Sequence, residues 1–240
     1  MRTISGKLTH FERLTNNLGY MNLRSQHVAS IFNGLAVHPE VCIEHIWINQ
    51  MVARATVPLM QEVVKVAKGM PDDPISAPLI KYMTRHIAEE TDHDQWYAND
   101  LALLGIPNEQ MYARIPPPNV AALVGSQYYW LQHYHPVAFM GYLACLEVYH
   151  PTVEYVEGLI KKSGLPAEGF STIMEHAIID AHHSQDIIDT LNALPLTEEQ
   201  YKMVEMSAFQ TFRYVALVME DVCKVAPVQN EQKDDKQKNA

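Results

Sequence analysis

The sequence predicts an all-α protein, a single domain of about seven helices. Apolar residues recur at spacings of three and four, the helical period, and no long polar/apolar alternation marks a half-buried strand. Proline- and glycine-centred breaks then cut the chain into pieces of helical length. Of the 240 residues, 48% are hydrophobic, enough for a sizeable core, and the length leans toward one domain.

The elements follow in order. A first helix over 4–34 runs up to His38-Pro39, with Gly19 as a point where it could split. The second, 39–67, contains Pro58, whose missing N–H and ring clash should kink it. Gly69-Met70-Pro71-Asp72-Asp73-Pro74 ends that helix, and the third spans 75–104 before Gly105-Ile106-Pro107. After Pro116-Pro117-Pro118 comes 118–134 with Asn119 as its cap, then 136–162 behind His135-Pro136, with Pro151 as a second kink. Gly164-Leu165-Pro166 and Leu194-Pro195 bound a helix over 167–193 with Ser171 as its cap. Thr197-Glu198-Glu199-Gln200 reads as a capping box opening the last helix, 197–224. The domain is expected over 1–225 and a polar, mobile tail over 226–240, where Val228 is the one large apolar side chain beyond Pro227.

A formal net charge of −10 argues against nucleic acid as a partner, because phosphate neutralisation needs clustered Lys and Arg. The start of the chain has no apolar run like that of a signal peptide, and no window approaches a membrane span, so a soluble, cytoplasmic protein without a membrane partner is expected. Cys42, Cys145 and Cys223 lie far apart in apolar contexts and read as buried free thiols. Twelve histidines are the compositional excess.

Two of those histidines, with an aspartate between them, anchor the chemistry. His176, Asp180 and His183 fall at i, i+4 and i+7 of one predicted helix and project from one face. A wet polar face is the plain alternative, but Ile178, Ile179, Ile187 and Ile188 surround the row and favour a largely buried helix. His182 points off the stripe, and Asp186 is placed to support a ligating imidazole. A second row, His86, Glu90 and His93, shares a stripe in the helix over 75–104, with Glu89 about 100° to its side. Here the plain alternative is a solvated acidic face. Glu-x-x-His is also the spacing by which one helix of a four-helix dinuclear site offers a carboxylate and an imidazole. Glu147 sits among apolar neighbours in Gly141-Tyr-Leu-Ala-Cys-Leu-Glu147, and such a carboxylate is costly to bury unless it binds metal or an ion-pair partner. Helix rise separates His176 from His183 by about 10 Å, so two ions about 3.5–4 Å apart suit the row better than one. Mixed nitrogen and oxygen donors without thiolate point to iron or manganese over zinc.

These three segments together resemble the haem-oxygenase-like helical superfamily over roughly residues 40–220. That grouping includes TenA-like thiaminases, pyrroloquinoline quinone synthase and the diiron oxidases called iron-containing redox enzymes. The resemblance implies a dinuclear iron site, with manganese as the other metal, that uses dioxygen to oxidise a small organic substrate in a homodimeric protein. It carries over to His93, Glu147, His176, Asp180 and His183 as ligands, with Glu147, Glu90 and Asp180 as the working carboxylates. Seven residues before His93 the diiron branch has Glu where this chain has His86. Glu90 or Glu89 then substitutes, His86 itself binds, or the site holds one metal or none. Other branches imply other readings: a TenA-like hydrolase with Cys145 as nucleophile, a haem protein with His10 as axial ligand, or a non-catalytic binder of a small ligand. Tyr128, Tyr129, Trp130 and Tyr142 are candidates for lining a substrate pocket.

Overall fold

Ten α-helices and two short 3-10 turns, with no strand among the described residues, make up the computed structural model, which describes residues 8–227 except for the side chains of Tyr20, Asn22, Asp180 and Ala181. The helices are α1 (His10–Leu35), α2 (Pro39–Lys68), α3 (Ser76–Glu90), α4 (His93–Leu103), α5 (Asn108–Ala113), α6 (Pro118–His133), α7 (Phe139–Glu147), α8 (Val153–Ser163), α9 (Ser171–Ala193) and α10 (Glu198–Cys223). The 3-10 turns, Pro136–Ala138 and Ala167–Phe170, lead into α7 and α9. No described helix is long and apolar enough to cross a membrane.

The all-α reading holds, but seven helices is too few. The expected helix over 75–104 breaks at Thr91-Asp92 into α3 and α4, and that over 136–162 breaks before Pro151 into α7 and α8. Pro151 therefore lies between helices, whereas Pro58 stays inside an unbroken α2, and Gly19 does not split α1. Neither Asn119 nor Ser171 is a cap: Asn119 donates to Asp221 at 2.6 Å, and the Ser171 hydroxyl donates to Asp100. The Thr197–Gln200 capping box forms as expected, and a second one, Thr9 with Glu12, opens α1. Residues 4–7 of the expected first helix, and the expected tail from Val228 on, lie outside the described residues.

Two apolar clusters make the core. In the first, Leu14 and Leu18 of α1, Leu59, Met60 and Val63 of α2, Leu79 and Met83 of α3, Phe139 and Leu143 of α7, and Val204 and Ala208 of α10 come together. The second joins Phe32, Ile46, Trp47 and Met51 to Tyr97 and Leu101 of α4, Phe170 and Ile173 at the start of α9, and Val218 of α10. Each such side chain removed from water contributes about 1.5–3 kcal/mol. The boundary between the clusters positions the chemistry: α3 packs in the first and α4 in the second, while α9 starts in the second and ends in the first with Ile187 and Leu191.

Helix α7 is held close to α10 by Gly141, where a Cβ would collide with the Val204 carbonyl and approach the Ala208 nitrogen to 2.8 Å. Backbone atoms cannot move aside as a side chain would. Gly141→Ala should therefore destabilise the fold by at least about 1–3 kcal/mol in urea unfolding, with a corresponding fall in Tm.

Candidate metal centre

Every residue expected to hold the two irons sits on α3, α4, α7 or α9, where those helices meet at the seam between the two clusters. His86 and Glu90 lie in the last turn and a half of α3, and His93 is the first residue of α4. Glu147 ends α7, and His176 and His183 lie two turns apart on α9. The expected single stripe of His86, Glu90 and His93 does not exist, because the helix stops between them. At the break Asp92 adopts φ 71°, and its carbonyl restarts the helix by accepting the amides of Gln95 and Trp96 at 2.9 and 3.1 Å. The turn brings His93 Nδ1 back to 2.9 Å from Glu90 Oε2.

Around Glu90 stand two imidazole pairs. His86 meets His183 edge-on with centroids 5.0 Å apart, and His93 meets His176 edge-on at 4.9 Å. One ligand atom from each of His86, Glu90 and His183 lies within 4.8 Å of the others, and the same is true of Glu90, His93 and His176. Glu90 is common to both groups. Glu90 is thus the carboxylate inside the cluster, while Glu89 is partly exposed, 3.2 Å from His86 Nδ1, 3.8 Å from His183 Nε2 and 3.6 Å from Arg85. Glu147 adds a further carboxylate, with Oε1 2.9 Å from His86 Nε2 and Oε2 3.8 Å from His183 Nδ1. The helix carries Asp180 between His176 and His183, but its side chain lies outside the described residues.

Supporting contacts fix the ligand-bearing helices. His176 donates from Nδ1 to the Thr172 carbonyl at 2.8 Å, which leaves Nε2 as the imidazole lone pair. Ser184 donates to the Glu147 carbonyl at 2.7 Å and ties α9 to the end of α7. Buried Asp100 of α4 accepts the Thr172 amide at 2.8 Å, placing a carboxylate at the start of α9. Asp186, expected to support an imidazole, instead pairs with Arg85 at 2.8 Å, and the nearby His182 is solvent-exposed. The buried carboxylates set the proton balance. Burial alone would lower the His86 pKa, but the hydrogen bond and charge of Glu147, with help from Glu90, raise it to about 9. Glu147 itself is pushed up by burial, so both shifts keep a proton on the pair. Burial opposes ionisation of Glu90 as well, yet His93 and the other imidazoles hold its pKa below the usual value.

A divalent cation fits this donor set. The buried Glu147 Oε2 makes no hydrogen bond among the described residues, an expensive condition for a carboxylate oxygen that a cation would relieve. Neutral imidazoles and carboxylates are the donors iron and manganese take.

A cavity of about 460 Å³ opens on the cluster and is lined by Glu90, Glu147 and His176. Of the four aromatics expected to line a pocket, Tyr142 does so; Tyr128 packs against the first core cluster, Tyr129 is exposed, and Trp130 donates to Gln210 at 2.8 Å. The same cavity wall carries His45 and Asn49 of α2, which the sequence reading missed. Their four-residue spacing within an apolar helix was the available signal. Cys145 lies instead in a neighbouring apolar cavity of about 220 Å³. Its thiol donates to the Ala208 carbonyl, and burial pushes its pKa well above the free value. His10 stacks on Tyr201 with centroids 5.8 Å apart.

The model of one protein family, described as iron-containing redox enzyme and haem-oxygenase-like, matches residues 51–213, more than half of the chain and all of the cluster. The chain belongs to this iron-containing redox enzyme family. No curated protein matches it. Among solved structures, a TenA homolog from Pseudomonas syringae pv. tomato is 15% identical, covering 90% of this chain and 93% of its own, with a TM-score of 0.70. A CADD-like protein of unknown function from Nostoc punctiforme is 13% identical, with 90% and 96% covered and a TM-score of 0.64. A domain of unknown function with a heme oxygenase-like fold from Shewanella denitrificans is 20% identical, with 83% and 90% covered and a TM-score of 0.58. At such identities these neighbours establish the haem-oxygenase-like fold of this family member and nothing finer.

The turn at Asp92 is the local feature that folds His93 onto Glu90. A β-branched residue is poorly suited to its positive φ, so Asp92→Val should cost about 1–2 kcal/mol in urea unfolding, whereas Asp92→Gly, free of that penalty, should change stability by less than about 1 kcal/mol.

Proposed function

We propose that this protein is a non-haem diiron oxidase or oxygenase that uses dioxygen to oxidise a small organic substrate. The observation that carries the reading is the pair of three-residue groups sharing Glu90 beside a cavity. His86, His183 and Glu90 would hold one iron, and His93, His176 and Glu90 the other, with Glu90 between them. Glu147 adjoins the first group, and Asp180 is assigned to the set from its place on α9. Manganese suits the same donors, but the family's name favours iron. Two bound irons supply the electrons and open coordination positions that dioxygen activation requires.

The chain's own residues do the rest. His176 Nδ1, fixed by the Thr172 carbonyl, keeps Nε2 facing the cluster. The apolar wall of Val52, Leu143, Leu146 and Ile173 excludes water around the substrate. Glu147, with Oε1 2.9 Å from His86 Nε2, lines the cavity and is the carboxylate placed to exchange a proton with a molecule bound there. The alternative of a thiol nucleophile is disfavoured, because it requires a thiolate and an activating base while Cys145 is buried, protonated and outside this cavity.

Metal analysis of protein loaded with iron under anaerobic conditions tests the reading. The wild type should bind about two irons per chain. His93→Ala and His183→Ala should each remove about one, from different groups, and Glu90→Ala should remove both. Dioxygen uptake by the reduced protein should fall with the metal. Cys145→Ser should retain iron and uptake alike, whereas loss of activity in that variant with the metal intact would restore the thiol mechanism. Failure of the wild type to bind iron would leave a non-catalytic ligand binder.

A further inference from the structure

The cavity has a second polar locus on a helix that contributes nothing to the metal cluster. His45 and Asn49, one turn apart on α2, line it together with the apolar residues named above. Asn49 Nδ2 stands 3.4 Å from His45 Nε2, and the Phe32 ring packs on the imidazole with centroids 4.7 Å apart. Burial pushes the His45 pKa down to about 4, so the ring is neutral at physiological pH. With Nε2 accepting from the Asn49 amide, the ring proton sits on Nδ1, and Asn49 Oδ1 is left to accept. A third group, the Tyr142 hydroxyl, belongs to a fully buried cavity-lining side chain and makes no hydrogen bond among the described residues. A buried hydroxyl without a partner is costly, and Tyr142, His45 and Asn49 all line a space large enough for a small organic molecule.

The charges on this wall are the other half of the argument. Among the described residues lining the cavity there is no lysine or arginine, and its ionisable acids, Glu90 and Glu147, belong to the metal cluster. A substrate carboxylate or phosphate would meet no cation at the α2 wall. We propose that the cavity binds an uncharged amphipathic molecule, an apolar body whose head group both donates and accepts a hydrogen bond, a hydroxyl or a primary amide, held by His45 and Asn49. The head group fixed on α2 leaves the apolar body as the part presented to Glu90, Glu147 and His176, so the carbon oxidised lies along that body and not at the head group. The second statement rests on the diiron reading above; binding of the head group needs no metal.

Calorimetry on the full chain, freed of metal with a chelator, separates the two. The probes are 1-octanol, octanamide and octanoate, with octylammonium as a fourth for one variant. At least one neutral probe should bind about tenfold tighter than octanoate, and comparison of 1-octanol with octanamide distinguishes the two head groups. Asn49→Leu should weaken the favoured neutral probe about tenfold and abolish the preference, while the same variant still binds iron. Asn49→Asp, nearly identical in shape, should favour octylammonium over the wild type by a similar factor. The proposal is overturned if octanoate binds as tightly as both neutral probes, if no probe binds, or if neither variant alters the order. Absence of iron with the neutral preference intact would sink the diiron reading and leave this one standing.

Discussion

A carboxylate held among four imidazoles inside an apolar seam is the constraint around which this structure is organised. Glu90 lies 2.9 Å from His93 and 3.6 Å from His183, and the charges of His86 and His176 reach it as well. Isolated, an ionised group in such surroundings would cost several kcal/mol. The imidazoles offset that cost, and they can do so only if α3, α4 and α9 meet within hydrogen-bonding distance. The first core cluster holds α3 and α7, the second holds α4 and the start of α9, and the polar cluster fills the place where the two fail to merge. Local fold and site chemistry are thus a single packing problem.

Most of this was legible along the chain, for identifiable reasons. His176 and His183 share a face because α9 is uninterrupted helix, and periodicity reads such a segment well. Glu147 declared itself as the one acid in an apolar stretch. The break at Asp92 left no such trace, since neither Gly nor Pro marks it and Asp is one of the few residues that tolerates a positive φ. The contact of Glu90 with His93 depends on that break and so was equally hidden. Pro151 was visible, but whether a proline kinks or ends a helix is decided by what packs on either side.

Long-range polar contacts were the least readable. Ser171 resembles a cap by position, yet it donates to Asp100, which lies 71 residues away and also accepts the Thr172 amide. Asp186 is well spaced to support an imidazole, and Arg85 of another helix takes it instead. Spacing specifies which face a side chain occupies, not which partner waits there. His45 and Asn49 escaped notice for the same reason. On an apolar helix they read as minor polar interruptions until the other walls of the cavity are in place.

Helix ends supply much of the cluster, and this bears on what the ligands can do. Glu90 and Glu147 are the last residues of α3 and α7, and His93 is the first of α4. Side chains in such positions are oriented by the turns that follow as much as by the helix, so small backbone adjustments can move them relative to one another. His176 and His183 lie within α9, where His176 donates to the Thr172 carbonyl and Ser184, beside His183, ties the helix to the Glu147 carbonyl. The arrangement places two imidazoles within one continuous helix and the carboxylates at helix ends. For the cation proposed above, that division would be chemically sensible, because carboxylates can shift between one-oxygen and two-oxygen coordination whereas each imidazole offers a single lone pair. The cavity beside Glu90 and Glu147 is where those two acids, unlike His86, His93 and His183, border the open space.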